Sequence, residues 1–226
     1  MKVEVTGDSL PVAICKLEKG EQVYTECGGM SWMTPNIKME TNTNGGFMKG
    51  LGRSLSGESL FMNTYTAEDE NQEIAFASSM PGEILEFELK EGESVICQKR
   101  SFLAAEKSVD MKIHFRKNFG AGLFGGEGFI MQKLTGPGKV LIEVDGAVVR
   151  KKLEPGEELK VDNGYVAAMT EQVSLDITTV KGVKNVLFGG EGLFLTTLKG
   201  PGMVWLQSMP ISKLAGSIRP YIPTGK

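Results

Sequence analysis

The chain has 226 residues, 41% hydrophobic and 23% charged, with a formal net charge of −3, a composition that fits a globular protein with a sizeable core and within the size of one β sandwich or barrel. No apolar run approaches the ~18 residues of a membrane span, and the acidic balance argues against general nucleic-acid binding, whose phosphate affinity rests on clustered Lys and Arg. The three cysteines, Cys15, Cys27 and Cys97, are odd in number and have no Cys-x-x-Cys spacing, so they suggest neither a disulfide framework nor a zinc knuckle, and reduced thiols in a cytosol are the expectation.

In chain order, Met1-Lys2-Val3-Glu4-Val5-Thr6 alternates charge with β-branched residues and reads as the first strand of a cytoplasmic protein, without the apolar core of a signal peptide. Leu17-Glu18-Lys19-Gly20-Glu21 then opens a pattern that returns as Leu89-Lys90-Glu91-Gly92-Glu93 and Leu153-Glu154-Pro155-Gly156-Glu157. Twenty residues beyond each leading Leu stand Ile37, Val109 and Val173, followed at alternate positions by Met39, Met111 and Leu175 and then Thr41, Ile113 and Ile177. Residues 68–73, Glu-Asp-Glu-Asn-Gln-Glu, read as a charged hairpin insertion peculiar to the first copy. In the middle copy Val109, Met111, Ile113 and Phe115 are expected to face the core, with Asp110, Lys112, His114 and Arg116 on the polar face, because side chains alternate along a strand. Leu123-Phe124-Gly125-Gly126-Glu127-Gly128 recurs as Leu187-Phe188-Gly189-Gly190-Glu191-Gly192 at an offset of 64, which also aligns Gly136-Pro137-Gly138 with Gly200-Pro201-Gly202. A weaker copy stands at Leu55-Ser56-Gly57-Glu58-Ser59-Leu60-Phe61.

Two independent blocks in one register predict three tandem repeats, approximately 1–80, 81–146 and 147–226. Apolar period two, Gly-Glu turns and Gly-Pro-Gly punctuation predict an all-β chain with no long amphipathic helix. No Ser- or Pro-rich linker separates the copies, so residues 1–226 are expected to share one core as a single domain.

The repeated L-F-G-G-E-G block, the G-P-G turn, the S-G-E-S-L-F version and Ser101-Phe102-Leu103-Ala104 together resemble an uncharacterised bacterial family related to the mitochondrial altered-inheritance proteins. The resemblance covers nearly the whole chain. It implies a fold like that of the tryptophan RNA-binding attenuation protein: β-sandwich or double-stranded β-helix-like units, fused in tandem with pseudo-threefold symmetry. It carries no agreed catalytic residues.

Glu58, Glu127 and Glu191 hold equivalent places, and threefold geometry would bring their carboxylates near one axis, an arrangement that shares protons or holds a hard cation such as calcium or magnesium. The competing and preferred reading is a Glu held by backbone N–H groups in each Gly-rich turn, or exposed to water. Gly120-Ala121-Gly122-Leu123-Phe124-Gly125 matches G-x-G-x-x-G in form, yet a strand-like Phe129-Ile130-Met131 follows where a dinucleotide loop needs a helix, so a turn is expected. His114 is the only histidine, which disfavours cupin-like metal chemistry, and a solvated imidazole is expected. Net charge runs −5 over residues 1–80, −1 over 81–146 and +3 over 147–226. Within the last third, Arg150, Lys151 and Lys152, with Lys181, Lys184, Lys199 and Arg219, form a candidate phosphate-attracting face. The preferred reading is a solvated strand edge, where Lys discourages aggregation, because aromatics that would stack on bases are scarce there.

The expectation is therefore a non-enzymatic binding or scaffold protein of the cytoplasm, with no cofactor, no catalytic residues and strand edges open to self-association. An RNA-binding module by fold analogy is the alternative, and a carboxylate-based metal-dependent enzyme is the second.

Overall fold

Each Leu-x-x-Gly-Glu block folds into the same tight turn. Gly20, Gly92 and Gly156 adopt φ of 85°, 77° and 82°, the left-handed region where a side chain is strained. The Glu after each glycine closes the turn through its carboxylate, which accepts the backbone N–H three residues earlier: Glu18 to Glu21 at 2.9 Å, Lys90 to Glu93 at 2.9 Å and Glu154 to Glu157 at 3.0 Å. The Leu before each turn is buried, as are Ile37, Val109 and Val173 twenty residues on.

The computed structural model describes residues 1–43, 61–117, 128–179 and 194–223. It is predominantly β. The first strands are β1 (Lys2–Thr6), β2 (Val12–Leu17), β3 (Gln22–Glu26), β4 (Trp32–Met33), β5 (Ile37–Thr43), β6 (Phe61–Ala67) and β7 (Gln72–Ala77). The next are β8 (Gly82–Leu89), β9 (Ser94–Gln98), β10 (Phe102–Glu106), β11 (Asp110–Lys117), β12 (Phe129–Thr135) and β13 (Gly138–Asp145). The last are β14 (Val148–Leu153), β15 (Glu158–Asp162), β16 (Val166–Thr170), β17 (Ser174–Thr179), β18 (Phe194–Lys199) and β19 (Gly202–Gln207), followed by a short helix α1 (Ile211–Ile218). Among the described residues no helix is long and apolar enough to cross a membrane.

Sheet order ties the chain together. One six-stranded sheet runs β5-β6-β3-β10-β13-β8 and a second runs β11-β12-β9-β16-β19-β14. Position for position these are the same sequence of strand types, three from one stretch of chain joined to three from the next. The junctions are antiparallel ladders: Ala105 opposite Tyr24 and Glu106 opposite Val23 in the first sheet, Met169 opposite Ile96 and Thr170 opposite Val95 in the second. The remaining strands form a four-stranded sheet, β1-β2-β7-β4, and a three-stranded sheet, β15-β18-β17.

Three apolar clusters fill the layers between the sheets. The first contains Leu17, Val23, Tyr65 and Phe76, the second Leu89, Val95, Phe102 and Ile142, and the third Ile96, Phe129, Leu153 and Val204. A smaller cluster of Leu85, Val144 and Ala167 has Trp205 packed against it, edge-on to Phe87 at 5.0 Å between ring centroids.

The expected alternation along 109–116 fails midway. Val109 is buried and Met111 half-buried, but the register of β11 against β12 shifts between Ile113 and Phe115, and Ile113 is 39% exposed. One extra residue at His114 bulges the strand, so Ile113 before it is turned outward while Phe115 beyond it packs against the third apolar cluster. Residues 68–71 make the β6–β7 connection, with Asn71 at φ 54°, where β12–β13 and β18–β19 are joined at cis Gly136-Pro137 and Gly200-Pro201.

Candidate functional site

The three carboxylates singled out from the sequence, Glu58, Glu127 and Glu191, lie outside the described residues, as do Gly120–Gly125, the repeated L-F-G-G-E segments, Lys181 and Lys184. Their chain position is common to all three: between β5 and β6, between β11 and β12, and between β17 and β18.

Arg150, Lys151 and Lys152 lie on β14, the outer strand of the second six-stranded sheet, which among the described residues pairs with β19 alone. Arg150 and Lys152 are exposed and Lys151 is half-buried. Lys152 meets Glu154 at 2.8 Å and Lys151 meets Glu157 at 3.8 Å, while Lys199 meets Glu158 at 3.4 Å. Much of this basic charge therefore has a carboxylate beside it.

His114 is exposed on β11. Partial burial, reinforced by the Lys133 ammonium, holds its imidazole below the usual range, while Glu171 pulls the other way. Lys133 and Glu171 are themselves ion-paired. Cys15 and Cys97 are buried and Cys27 is exposed. Burial pushes Cys15 up to about 12 and raises Cys97 as well, with nearby Glu86 and Glu26 adding to the two shifts. Both buried thiols are thereby held in the neutral form at neutral pH, which is poorly nucleophilic. Cys27 donates to Asn63 Oδ1 at 3.3 Å. Among the described residues no three His, Cys, Asp or Glu side chains converge as a metal site.

An acidic pair on β13, Glu143 buried and Asp145 half-buried, ties the second third of the chain to the first and to the last. Glu143, 8% exposed, accepts from Ser79 N at 2.8 Å, Ser79 Oγ at 2.9 Å and Ser78 Oγ at 3.1 Å. Two residues along β13, burial and then the charge of Glu143 push the Asp145 carboxyl up to about 6, with Arg100 opposing. The backbone N–H of Asp145 donates to Gln207 Oε1 at 3.0 Å, and Gln207 Nε2 donates to Gly164 O at 2.7 Å. These bonds tie β13 to the 78–79 segment and to β19.

The feature with an open chemical function lies at the strand edges. The β3 and β9 strands each pair on both sides, with β6 and β10 and with β12 and β16. Their counterpart β15 pairs with β18 alone, and β4 pairs with β7 alone, among the described residues. Seven residues beyond the leading Leu of each turn stand Tyr24, Ile96 and Lys160. Tyr24 and Ile96 are buried beneath the following strands, and Lys160 is exposed. On β4, Trp32 is 46% exposed.

A cavity of about 480 Å³ opens beside β15, lined by Val149, Leu159, Leu206, Lys160, Tyr165 and Lys213 among others. Lys213 of α1 stands 5.6 Å from the Tyr165 ring centroid, a distance at which an ammonium is attracted to the ring face. Neither unpaired edge was singled out from the sequence. The one available signal was Lys160 standing in a register position otherwise filled by Tyr and Ile.

Comparison with known proteins gives consistent matches. The family model described as Mitochondrial biogenesis AIM24 matches residues 3–209. An uncharacterised protein of Streptococcus pyogenes serotype M6 is 33% identical over 222 residues, spanning 95% of this chain and 88% of its own length. The crystal structure of a Streptococcus pyogenes protein superposes with a TM-score of 0.82 at 28% identity, over 98% of this chain and 99% of that one.

Proposed function

The chain belongs to the mitochondrial biogenesis AIM24 family, and on that footing we propose that it is a non-enzymatic binding or scaffold protein of the cytoplasm that works through its strand edges. One observation carries this reading: among the described residues, the strand type that twice joins one stretch of chain to the next has one edge without a partner strand at β15, and its mating strand type has one at β4. An unpaired edge presents a row of backbone donors and acceptors ready to accept another strand.

The same relationship supports reading residues 1–226 as one domain of three tandem units, each joined to the next by the same strand junction. The β15-β18-β17 sheet and the β7-β4 end of the four-stranded sheet are the two halves a third six-stranded sheet would need. The test is light scattering across a range of protein concentration. A mean mass that rises above one chain supports the reading. A mass of one chain at every concentration overturns it.

A further inference from the structure

We propose that the third six-stranded sheet is completed between copies of this chain, β4 of one molecule adding antiparallel to β15 of the next with Met33 opposite Lys160. This rests on the strand-edge reading above and names its partner, a second copy.

The register follows from the two junctions already inside the fold. Ala105 pairs with Val140 on one side and with Tyr24 on the other. Met169 pairs likewise with Val204 and with Ile96. Met33 pairs with Ile74, and Ile74, Val140 and Val204 each stand opposite the residue two before the leading Leu of a turn: Cys15, Phe87 and Lys151. Met33 therefore holds the place of Ala105 and Met169. On the receiving strand, Lys160 holds the place of Tyr24 and Ile96, opposite Thr197 as they are opposite Thr64 and Lys133. Continuing the ladder sets Thr34 opposite Leu159.

Charge selects this pairing over the symmetric ones. The first 80 residues carry −5 and the last eighty carry +3, so the end bearing β4 attracts the end bearing β15. A β15–β15 contact would bring one Lys160 against another, and like charges opposed across strands are unfavourable. A β4–β4 contact has no precedent in the fold. The pairing is head-to-tail, so it leaves one β4 and one β15 edge vacant until a ring closes, and otherwise extends. It would also cover Trp32, 46% exposed in the single chain.

Disulfide trapping tests the register. Opposed residues of an antiparallel ladder lie within disulfide reach. In a Cys27→Ser background, which removes the exposed native thiol, chains carrying Met33→Cys are mixed with chains carrying Lys160→Cys and oxidised. The expected product is a reducible two-chain species formed in the mixture and absent from either variant alone. With both substitutions in one chain, the expected product is a ladder of multiples. Circular dichroism and melting of each variant establish that the fold survives the substitutions. A disulfide confined to one chain mass would overturn the proposal in favour of closure within the molecule. Two-chain products from Met33→Cys alone or Lys160→Cys alone would overturn it in favour of a symmetric contact. Concentration-dependent mass without any trapped product overturns the pairing while leaving the scaffold reading intact, whereas absence of association by light scattering removes both.

Discussion

The Glu93 carboxylate accepts the backbone N–H of Lys90 at 2.9 Å while the backbone N–H of Glu93 donates to Lys90 O at 3.0 Å, a reciprocal clasp that turns the chain between β8 and β9. Between them Gly92 sits at φ 77° with no heavy atom within 4 Å of where a Cβ would stand. The cost of a side chain there is conformational rather than steric.

Gly92→Ala is expected to lower stability by about 1 kcal/mol, the penalty for a non-glycine residue in the left-handed region. Glu93→Ala should cost about 1 kcal/mol through loss of one charge-assisted turn bond, with Glu93→Gln retaining much of it. Urea denaturation of the three variants separates the two effects, and Gly92→Ala as stable as wild type would contradict the backbone account.

Gly82 is constrained for the opposite reason. A Cβ on it would lie 1.9 Å from Val144 O and 2.9 Å from Gly146 N, both backbone atoms that cannot rotate away. Gly82→Ala is expected to destabilise by about 3 kcal/mol, the upper end for overpacking, and thermal melting should register a clear drop. Tolerance of Ala at this site would mean that β8 and β13 are not in the register described.

His114→Ala is expected to change stability by less than about 0.5 kcal/mol, as surface substitutions usually do. The imidazole is exposed at a strand bulge, and the Lys133–Glu171 ion pair beside it has no need of it. Denaturant midpoints should coincide, and a loss of binding by the folded variant would show that His114 has a role beyond the surface.

Asp145 makes stability depend on pH in an unusual direction for a carboxylate. Its folded pKa is raised to about 6 from 3.8, so between those values the unfolded chain releases a proton that the folded chain keeps. Stability from this group is full below about pH 4 and is lost as pH rises through about 6. Asp145→Asn removes the penalty and should stabilise the protein by about 1 kcal/mol at pH 7.5, a figure discounted for the partial solvent exposure of the group, with no gain at pH 4. Chemical denaturation at the two pH values checks this. A gain of equal size at both would point to lost repulsion unrelated to titration.

Local chemistry made much of the architecture readable in advance. The Leu-x-x-Gly-Glu turns were legible because a left-handed glycine and a carboxylate returning three residues leave a fixed spacing in the chain, and the strands were legible because one buried face imposes period two. The β11 bulge was not legible, since an inserted residue obeys the partner strand and not its own pattern. Nor were the vacant edges of β4 and β15 legible. Whether a strand is paired on one side or both depends on which distant segment lies beside it, and Lys160 differs from Tyr24 and Ile96 only as a polar residue among apolar counterparts. Sequence by itself determined the strand content, the turns and the buried positions at the start of each repeat, Leu17, Leu89 and Leu153 with Ile37, Val109 and Val173, because those are set by backbone preference and water. Only the tertiary structure decided which strands join, which carboxylates stand beside Lys151 and Lys152 on the strand edge expected for them, and that two complementary edges are left exposed, because strand pairing is a contact between residues far apart in the chain.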